Sequence, residues 1–459
     1  MRSGYGVTRV EIPENGQGAE IPGEVLGPAL RQRATMLAER LGTTRIWHVS
    51  STATGGGVAE LLWSSIAYQR VLGLPAHWLV TEAEPEFFRL TKRIHHGLHG
   101  HRIPAFTPED EEFYRSVTAR SAARLAEHVA PGDLALLHDP QTAGAVPSLV
   151  EAGVRIAWRC HVGTHGGGGA LGATWEFLRP YLENVPHGVF TDAAFAPDYL
   201  PAARRSVITP SIDPGSPKNR ELSAEQQRAL LARIGLIPDS SNGDEPIGYT
   251  IQDEPLPHDV PVVTQVSRWD PLKDMLGVLR TFTEDLALYS RAHLLLAGPD
   301  PDDVADDPEG AAVFAEVRRT WETLPPDARA RVHLVMLSLR DLTLNGLAVN
   351  AVQRRSTIVA QKSLEEGFGL TVTEAMWKAR PLVVSGVGGL LVQIRDKSTG
   401  ILVDPLDYPA FGKALDELLR RPGYAAELGR AARRDCRERF LVSRELTDYL
   451  ELYTRMLDI

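Results

Sequence analysis

The chain has 459 residues, 43% of them hydrophobic and 24% charged, with a formal net charge of −10. That length exceeds what one hydrophobic core holds, so two domains are expected. There is no apolar run of the roughly 18 residues a membrane span needs, residues 1–27 lack the basic-then-apolar layout of a signal peptide, and no basic patch offers itself to nucleic acid. The expectation is a soluble, cytoplasmic protein without membrane or nucleic-acid partners, its two cysteines, Cys160 and Cys436, reduced.

Residues 45–51 (RIWHVSS) are a short apolar run that predicts a buried strand, followed by a turn at Gly55, Gly56 and Gly57 and a helix over 58–72. Residues 77–81 predict the next strand and 108–130 a long amphipathic helix. A strand over 134–137 ends at His138-Asp139-Pro140, and one over 155–160 ends at His161. Two more strands are predicted at 188–191 and 205–209. The proline-rich stretch 210–217 suits a connector, 221–235 a helix, and the polar stretch 237–261 a loop. The alternation then restarts. Strands are predicted at 261–267, 293–297, 331–336, 357–361, 381–385 and 400–403, and helices at 276–288, 311–324, 345–355 and 370–378. Two or three helices over 408–457 follow. This is the pattern of an α/β protein with two doubly wound, Rossmann-like domains facing a cleft, in which ligands bind beyond the carboxyl ends of strands.

The segment Glu366-Gly-Phe-Gly-Leu-Thr-Val-Thr-Glu374 puts two glycines between a strand and a helix start. Glycines admit a ligand close to the backbone, and the free amides of a helix N-terminus attract an anion. Glu366 and Glu374, about a turn apart, offer two carboxylates for vicinal hydroxyls; the same pattern also reads as a glycine-capped turn with a surface glutamate. Ser267-Arg-Trp-Asp-Pro-Leu-Lys273 places Arg268 and Lys273 after a strand, where two cations hold a pyrophosphate and stabilise its departure, or else lie solvated at the surface. The Gly55–57 turn matches neither GxGxxG nor GxxxxGK[ST] and serves phosphate approach or tight packing equally well. His138, Asp139 and His161 end strands. The run 163–169 (GTHGGGG), with His165 in it, is a substrate loop or a plain linker. Asp300-Pro-Asp302-Asp303 reads as an acidic surface loop, and no metal ligands are expected.

Together these segments resemble the retaining family 4 of glycosyltransferases. EEGFGLTVTEAMWK at 365–378 is similar to that family's glutamate-x7-glutamate segment. SSTATGGGVAELL, HDPQTAG, WRCHV, PSIDP, VSRWDPLKD and SGVGGLLVQI resemble the trehalose glycosyltransferring synthases within it, over roughly residues 45–400. The resemblance implies a GT-B fold: an acceptor domain over 1–215, a nucleotide-sugar donor domain over 216–440, and a last helix over 441–459 that crosses back to the first domain. It implies a nucleotide-sugar donor linked to GDP, UDP or ADP, a small-molecule acceptor, no cofactor and no required metal; a homodimer is the expected assembly. By the same resemblance Arg268 and Lys273 would bind the donor diphosphate. Glu366 would contact the transferred sugar, with Gly367, Phe368, Gly369, Leu370 and Thr371 beside it. Glu374 would hold the ribose, Leu337 would line the base, and Gly56 and Gly57 would approach from the other domain. His161 would sit near the reacting carbon, and Asp139, His138 and His165 near the acceptor.

One departure bears on the substrate. After WRCH, trehalose-forming relatives resemble HIDLS, whereas this chain reads His161-Val-Gly-Thr-His-Gly-Gly-Gly-Gly, with Gly163 at the aspartate position. Transfer from NDP-glucose to glucose therefore stands beside a natural-product acceptor, such as ergothioneine sulfur glycosylated from a GDP-octose in lincosamide assembly. A phosphorolytic enzyme of the same fold and a non-catalytic nucleotide-sugar sensor are the readings of other classes.

Overall fold

The computed structural model describes residues 6–12, 26–54, 57–238, 245–286, 290–303 and 308–458. Gly55 and Gly56 of the expected glycine turn lie outside them. The chain divides into two units, one comprising Met1–Asp213 with Phe440–Ile459, the other Pro214–Arg439.

The first unit is built on a seven-stranded sheet. Its strands are β1 (Val7–Arg9), β2 (Ile46–Ser50), β3 (Ala76–Thr81), β4 (Leu134–His138), β5 (Arg155–Cys160), β6 (His187–Phe190) and β7 (Arg205–Val207). Their order is β1-β3-β2-β4-β5-β6-β7, and only β1 runs antiparallel. The inner strands β2 and β4 are buried at every position, as sheets covered on both faces require. One core packs Trp47, Tyr114, Trp158 and Trp175 together. The other lies under the helices Pro28–Leu41 and Val442–Leu457.

The chain's last helix, Val442–Leu457, thus belongs to the first unit. The crossing is stitched by backbone bonds between Ile212 and Phe440 and between Val442 and Ile212. A buried ion pair holds the helix to β5. Arg159 lies 3.0 Å from Glu445, both side chains are only 2% exposed, and Arg159 also meets the Tyr449 hydroxyl and the Ile208 carbonyl. Ser211 completes the Glu445 carboxylate at 2.5 Å.

The second unit repeats the plan with β8 (Gly248–Ile251), β9 (Val262–Val266), β10 (His293–Pro299), β11 (Val332–Leu337), β12 (Ile358–Gln361), β13 (Leu382–Ser385) and β14 (Ile401–Val403). The order is β14-β13-β12-β9-β10-β11-β8, with β8 antiparallel. In both sheets the strand order reverses beside the first long parallel strand, between β2 and β4 in one and between β9 and β12 in the other. Doubly wound sheets bind ligands at these points.

Several elements differ from the sequence expectation. The segment 237–261 is not all loop, because Gly248–Ile251 pairs with β11 as an edge strand. Gly248 breaks its apolar pattern because a Cβ there would overlap the Met336 carbonyl oxygen. The short edge strand β1 and the helices Pro28–Leu41 and Pro85–Leu98 had no counterpart in the reading of the sequence. The helix expected over 108–130 is Pro108–Leu125, started by a Thr107–Asp110 capping box. The helix expected over 276–288 is Met275–Thr281 with a π-helical turn at Phe282–Leu286. The glycine run is a loop over 163–168, and its last residue, Gly169, opens the helix Gly169–Leu182. Cys160 and Cys436 are free and buried.

Candidate active site

In the second unit, the reversal point brings the ends of β9 and β12 side by side, and each delivers one member of an ion pair. The Lys273 ammonium lies 2.6 Å from the Glu366 carboxylate, with the two side chains 15% and 11% exposed. Ser363 donates to the same carboxylate at 3.1 Å and the Gln361 amide approaches at 3.5 Å. Thr371 donates to Gln361 at 3.0 Å.

Backbone geometry fixes both partners. Asp274, next to Lys273, takes a left-handed conformation at φ 47°, which a non-glycine residue adopts only when its surroundings compel it. The compulsion is visible. The Asp274 carboxylate caps the following helix through the Gly277 amide at 3.1 Å and meets the fully buried Lys362 ammonium at 2.5 Å. Lys362 in turn bonds the Pro405 carbonyl and sits over the Tyr408 ring.

On the other side, Gly369 at φ 87° lets the chain turn into the helix Leu370–Trp377 with no side-chain cap on its N-terminus. Gln393 donates to the Phe368 and Gly369 carbonyls, and Gly389 N–H to the Glu366 carbonyl. The carbonyls of the loop are therefore held back, while the uncapped end presents positive dipole.

The remaining donor candidates are distributed unevenly. Arg268 is exposed and paired with Asp270 at 3.1 Å, so its guanidinium is not part of the Lys273–Glu366 pair. Glu374 is buried, 1% exposed, against the Gln353 amide at 3.3 Å and Lys218 at 3.8 Å. Phe368 is buried, whereas Gly367, Leu370 and Thr371 are partly exposed. The Leu337 side chain is in the core and its carbonyl accepts from Asp300. Asp303 accepts from Ser338, Leu339 and Arg340, which pins the loop after β11 and holds its carboxyl below the usual range. The acidic loop is thus partly structural, and among the described residues no group of three potential ligands could hold a metal.

In the first unit, His48 lies in the middle of β2, His138 ends β4 and His161 follows β5. His48 Nδ1 lies 3.1 Å from His138 Nε2, and His138 Nδ1 lies 3.1 Å from His161 Nε2. Burial drives all three imidazoles to low pKa: His48 is lowered to about 3, and His138 and His161 go well below their ordinary value. Asp139 also has positive φ, 63°, and its carboxylate accepts the His161 backbone N–H at 2.8 Å. Burial raises that carboxyl to about 7. His165 stands apart, partly exposed, 3.6 Å from Asp192 and edge-on to the Phe195 ring. Gly57 is the exposed first residue of the helix Gly57–Val71. At Gly163 the Phe195 ring occupies the space of a Cβ, so an aspartate at that position has no room.

These two residue sets stand on a chain whose relatives are known. The description "Trehalose synthase, N-terminal domain" matches residues 48–197 and "Glycosyl transferases group 1" matches 343–435. A trehalose synthase of Thermococcus litoralis is 33% identical over 430 residues, covering 94% of this chain and 95% of its own. The chain belongs to the trehalose synthase family. Another member, from Rubrobacter xylanophilus, is 33% identical with 92% and 93% covered. Among solved structures, a UDP-forming alpha,alpha-trehalose-phosphate synthase of Burkholderia xenovorans in complex with glucose-6-phosphate superposes with TM-score 0.67 at 15% identity, over 89% of this chain and all of its own. That likeness gives the fold, GT-B with two Rossmann-like units. The family makes the chain a nucleotide-sugar-dependent glycosyltransferase acting on sugars, and none of its helices is long and apolar enough to cross a membrane among the described residues.

Residues that the motifs did not reveal are Gln361, Ser363 and Gln393, which orient the Glu366 loop, the Lys362–Asp274 pair, and His48. Only His48 carried a signal in the sequence, as a polar residue amid a strand of buried apolar ones.

Proposed function

We propose that the enzyme transfers glucose from a nucleoside-diphosphate glucose to glucose with retention, forming α,α-trehalose. The observation that supports this most is the buried Lys273–Glu366 pair at the reversal point of the second sheet, in a chain 33% identical to named trehalose synthases. In this reading the donor diphosphate lies at the uncapped helix start beside Gly369, Leu370 and Thr371, with Lys273 and Arg268 as its cations. Glu366 accepts from a sugar hydroxyl, and Glu374 serves the ribose side. The bond between the anomeric carbon and the phosphate oxygen breaks. The released oxygen takes the proton of the acceptor hydroxyl, and that hydroxyl's oxygen bonds the anomeric carbon from the same face. The charge accumulating on the diphosphate is met by fixed cations and amides, so no metal and no protein nucleophile is called for. His161 and Asp139 serve the acceptor; His138, expected beside them, is buried with both ring nitrogens against His48 and His161 and only backs His161.

A second reading concerns the acceptor only. Gly163, closed over by Phe195, replaces the aspartate expected of trehalose formers, which favours a natural-product acceptor such as a thiol. The test is thermal shift with UDP, GDP and ADP, then transfer assays from the matching glucose donor, with the product linkage read by NMR. Trehalose formation supports the first reading. Turnover with thiol acceptors but not glucose supports the second. Failure of every diphosphate to raise the melting temperature would remove both.

A further inference from the structure

The two oxygens of the Glu374 carboxylate, in the helix Leu370–Trp377, face different neighbours. Oε2 accepts from the Gln353 amide at 3.3 Å, and the same amide nitrogen donates to the Thr371 carbonyl at 3.2 Å. A carboxylate and a carbonyl can only accept, so the amide is held one way round. Oε1 lies 3.8 Å from the Lys218 ammonium.

Much local structure goes into placing Lys218. It sits in a stretch of turns, residues 216–220, near the start of the second unit. The Ser216 carbonyl accepts from the Asn219 and Arg220 amides, both at 2.9 Å. Asn350 donates to the carbonyls of Pro217 at 3.0 Å and Arg220 at 2.8 Å, and the Trp377 indole to that of Asn219 at 3.1 Å. Gly346 lets the stretch lie against the helix Leu342–Arg355, since a Cβ there would stand 3.0 Å from Pro217 Cβ and 3.3 Å from Lys218 Cγ. Other cations nearby are directed elsewhere. Lys378 donates to the Asn219 side-chain oxygen and the Glu374 carbonyl, both at 3.2 Å, and Arg354 pairs with Glu221 at 2.7 Å.

The spacing and exposure of the Lys218–Glu374 pair suit a ligand between them. Their 3.8 Å separation exceeds a charge-assisted hydrogen bond by about 1 Å. One hydroxyl oxygen about 2.8 Å from each spans that gap, donating to the carboxylate and accepting from the ammonium. The Glu374 side chain is 1% exposed and that of Lys218 26%, so the lysine is the outward member of the pair.

We propose that Lys218 binds the donor's ribose together with Glu374, one ribose hydroxyl donating to the carboxylate and accepting from the ammonium, so that the enzyme selects ribonucleotides over deoxyribonucleotides. The inference rests on the reading of Glu374 as the carboxylate of the ribose side. A nucleotide lacking that hydroxyl leaves both charged groups without the partner they are spaced for, which is the strong form of discrimination.

The test is isothermal titration calorimetry of the full chain with UDP, GDP and ADP, then with the 2′-deoxy and 3′-deoxy forms of whichever binds. The wild type is expected to bind one deoxy form at least about tenfold more weakly, the scale of a hydrogen bond to a charged group. Lys218→Met should weaken the ribonucleotide by about tenfold and leave that deoxy form unchanged, so the two losses do not add. With a nucleoside-diphosphate glucose, its KM should rise while kcat stays within about twofold. A merely structural lysine would weaken both forms alike. A Lys218→Met protein that discriminates as the wild type does, or loses both forms equally, overturns the proposal and leaves the ribose reading of Glu374 standing. A wild type indifferent to both hydroxyls overturns that reading and the proposal with it, as does failure of all three diphosphates to bind. Lys218→Gln gives the same comparison if the Met variant does not fold.

Discussion

Replacing Lys273 by Met keeps the length of the side chain and removes its charge. Lys273 and Glu366 are 2.6 Å apart and largely buried, and removing one partner of such a pair costs about 3–5 kcal/mol. Ser363 at 3.1 Å and Gln361 at 3.5 Å remain on Glu366, which argues for the lower end, about 3 kcal/mol. In a unit the size of Pro214–Arg439 that corresponds to a melting-temperature loss of roughly 6–12 °C. The chemical step should suffer separately, because a fixed cation is withdrawn from the oxygen on which charge develops. A fall in kcat of about 10²–10³-fold is expected. Calorimetry measures the first effect. Initial rates at saturating donor measure the second, and the stabilisation conferred by the cognate nucleoside diphosphate should shrink. If the variant melts lower but keeps wild-type kcat and the full diphosphate shift, Lys273 only anchors the Glu366 loop and the electrostatic argument is refuted.

Glu445→Gln leaves Arg159 buried without its counter-charge and should cost about 3 kcal/mol in the unit containing Met1–Asp213; urea melts of this variant combined with Lys273→Met should show the two losses adding. Gly388→Ala places a Cβ on the Glu366 carbonyl oxygen at a residue with φ 44°, and kcat/KM should fall more than about tenfold, read by steady-state kinetics. Acid should destabilise the first unit. Below about pH 6.5 the unfolded chain protonates His48, His138 and His161 while the folded chain keeps them neutral, and the raised Asp139 carboxyl, about 7 against 3.8, offsets one of those three protons. These four groups predict a loss on the order of 3 kcal/mol per pH unit between roughly pH 6 and 4, and His77, His95 and His187 of the same unit, also lowered by burial, add to it; denaturant titration across that range measures the loss, and a flat profile would show that the imidazoles are charged in the fold.

The α/β alternation and nearly every parallel strand were legible because strands buried on both faces are continuous apolar runs, as in 134–137 and 155–160. The edge strands Val7–Arg9 and Gly248–Ile251 were not, since a short strand paired on one side is defined by its partner rather than by its own pattern. Lys273 and Glu366 were legible as a charge after a strand and a carboxylate before a glycine-capped helix. Their pairing was not, because it depends on β9 and β12 being neighbours across 93 residues.

By itself the sequence determined two doubly wound halves, glycines where the Glu366 loop must turn, and the charges available at strand ends. These follow from local periodicity and backbone freedom. Only the tertiary structure decided which of those groups meet: Lys273 with Glu366 but Arg268 with Asp270, Asp139 turned to a backbone amide, and two histidines in line behind His161. A contact between distant residues is set by strand order and register, and neither is written in the local pattern of either partner.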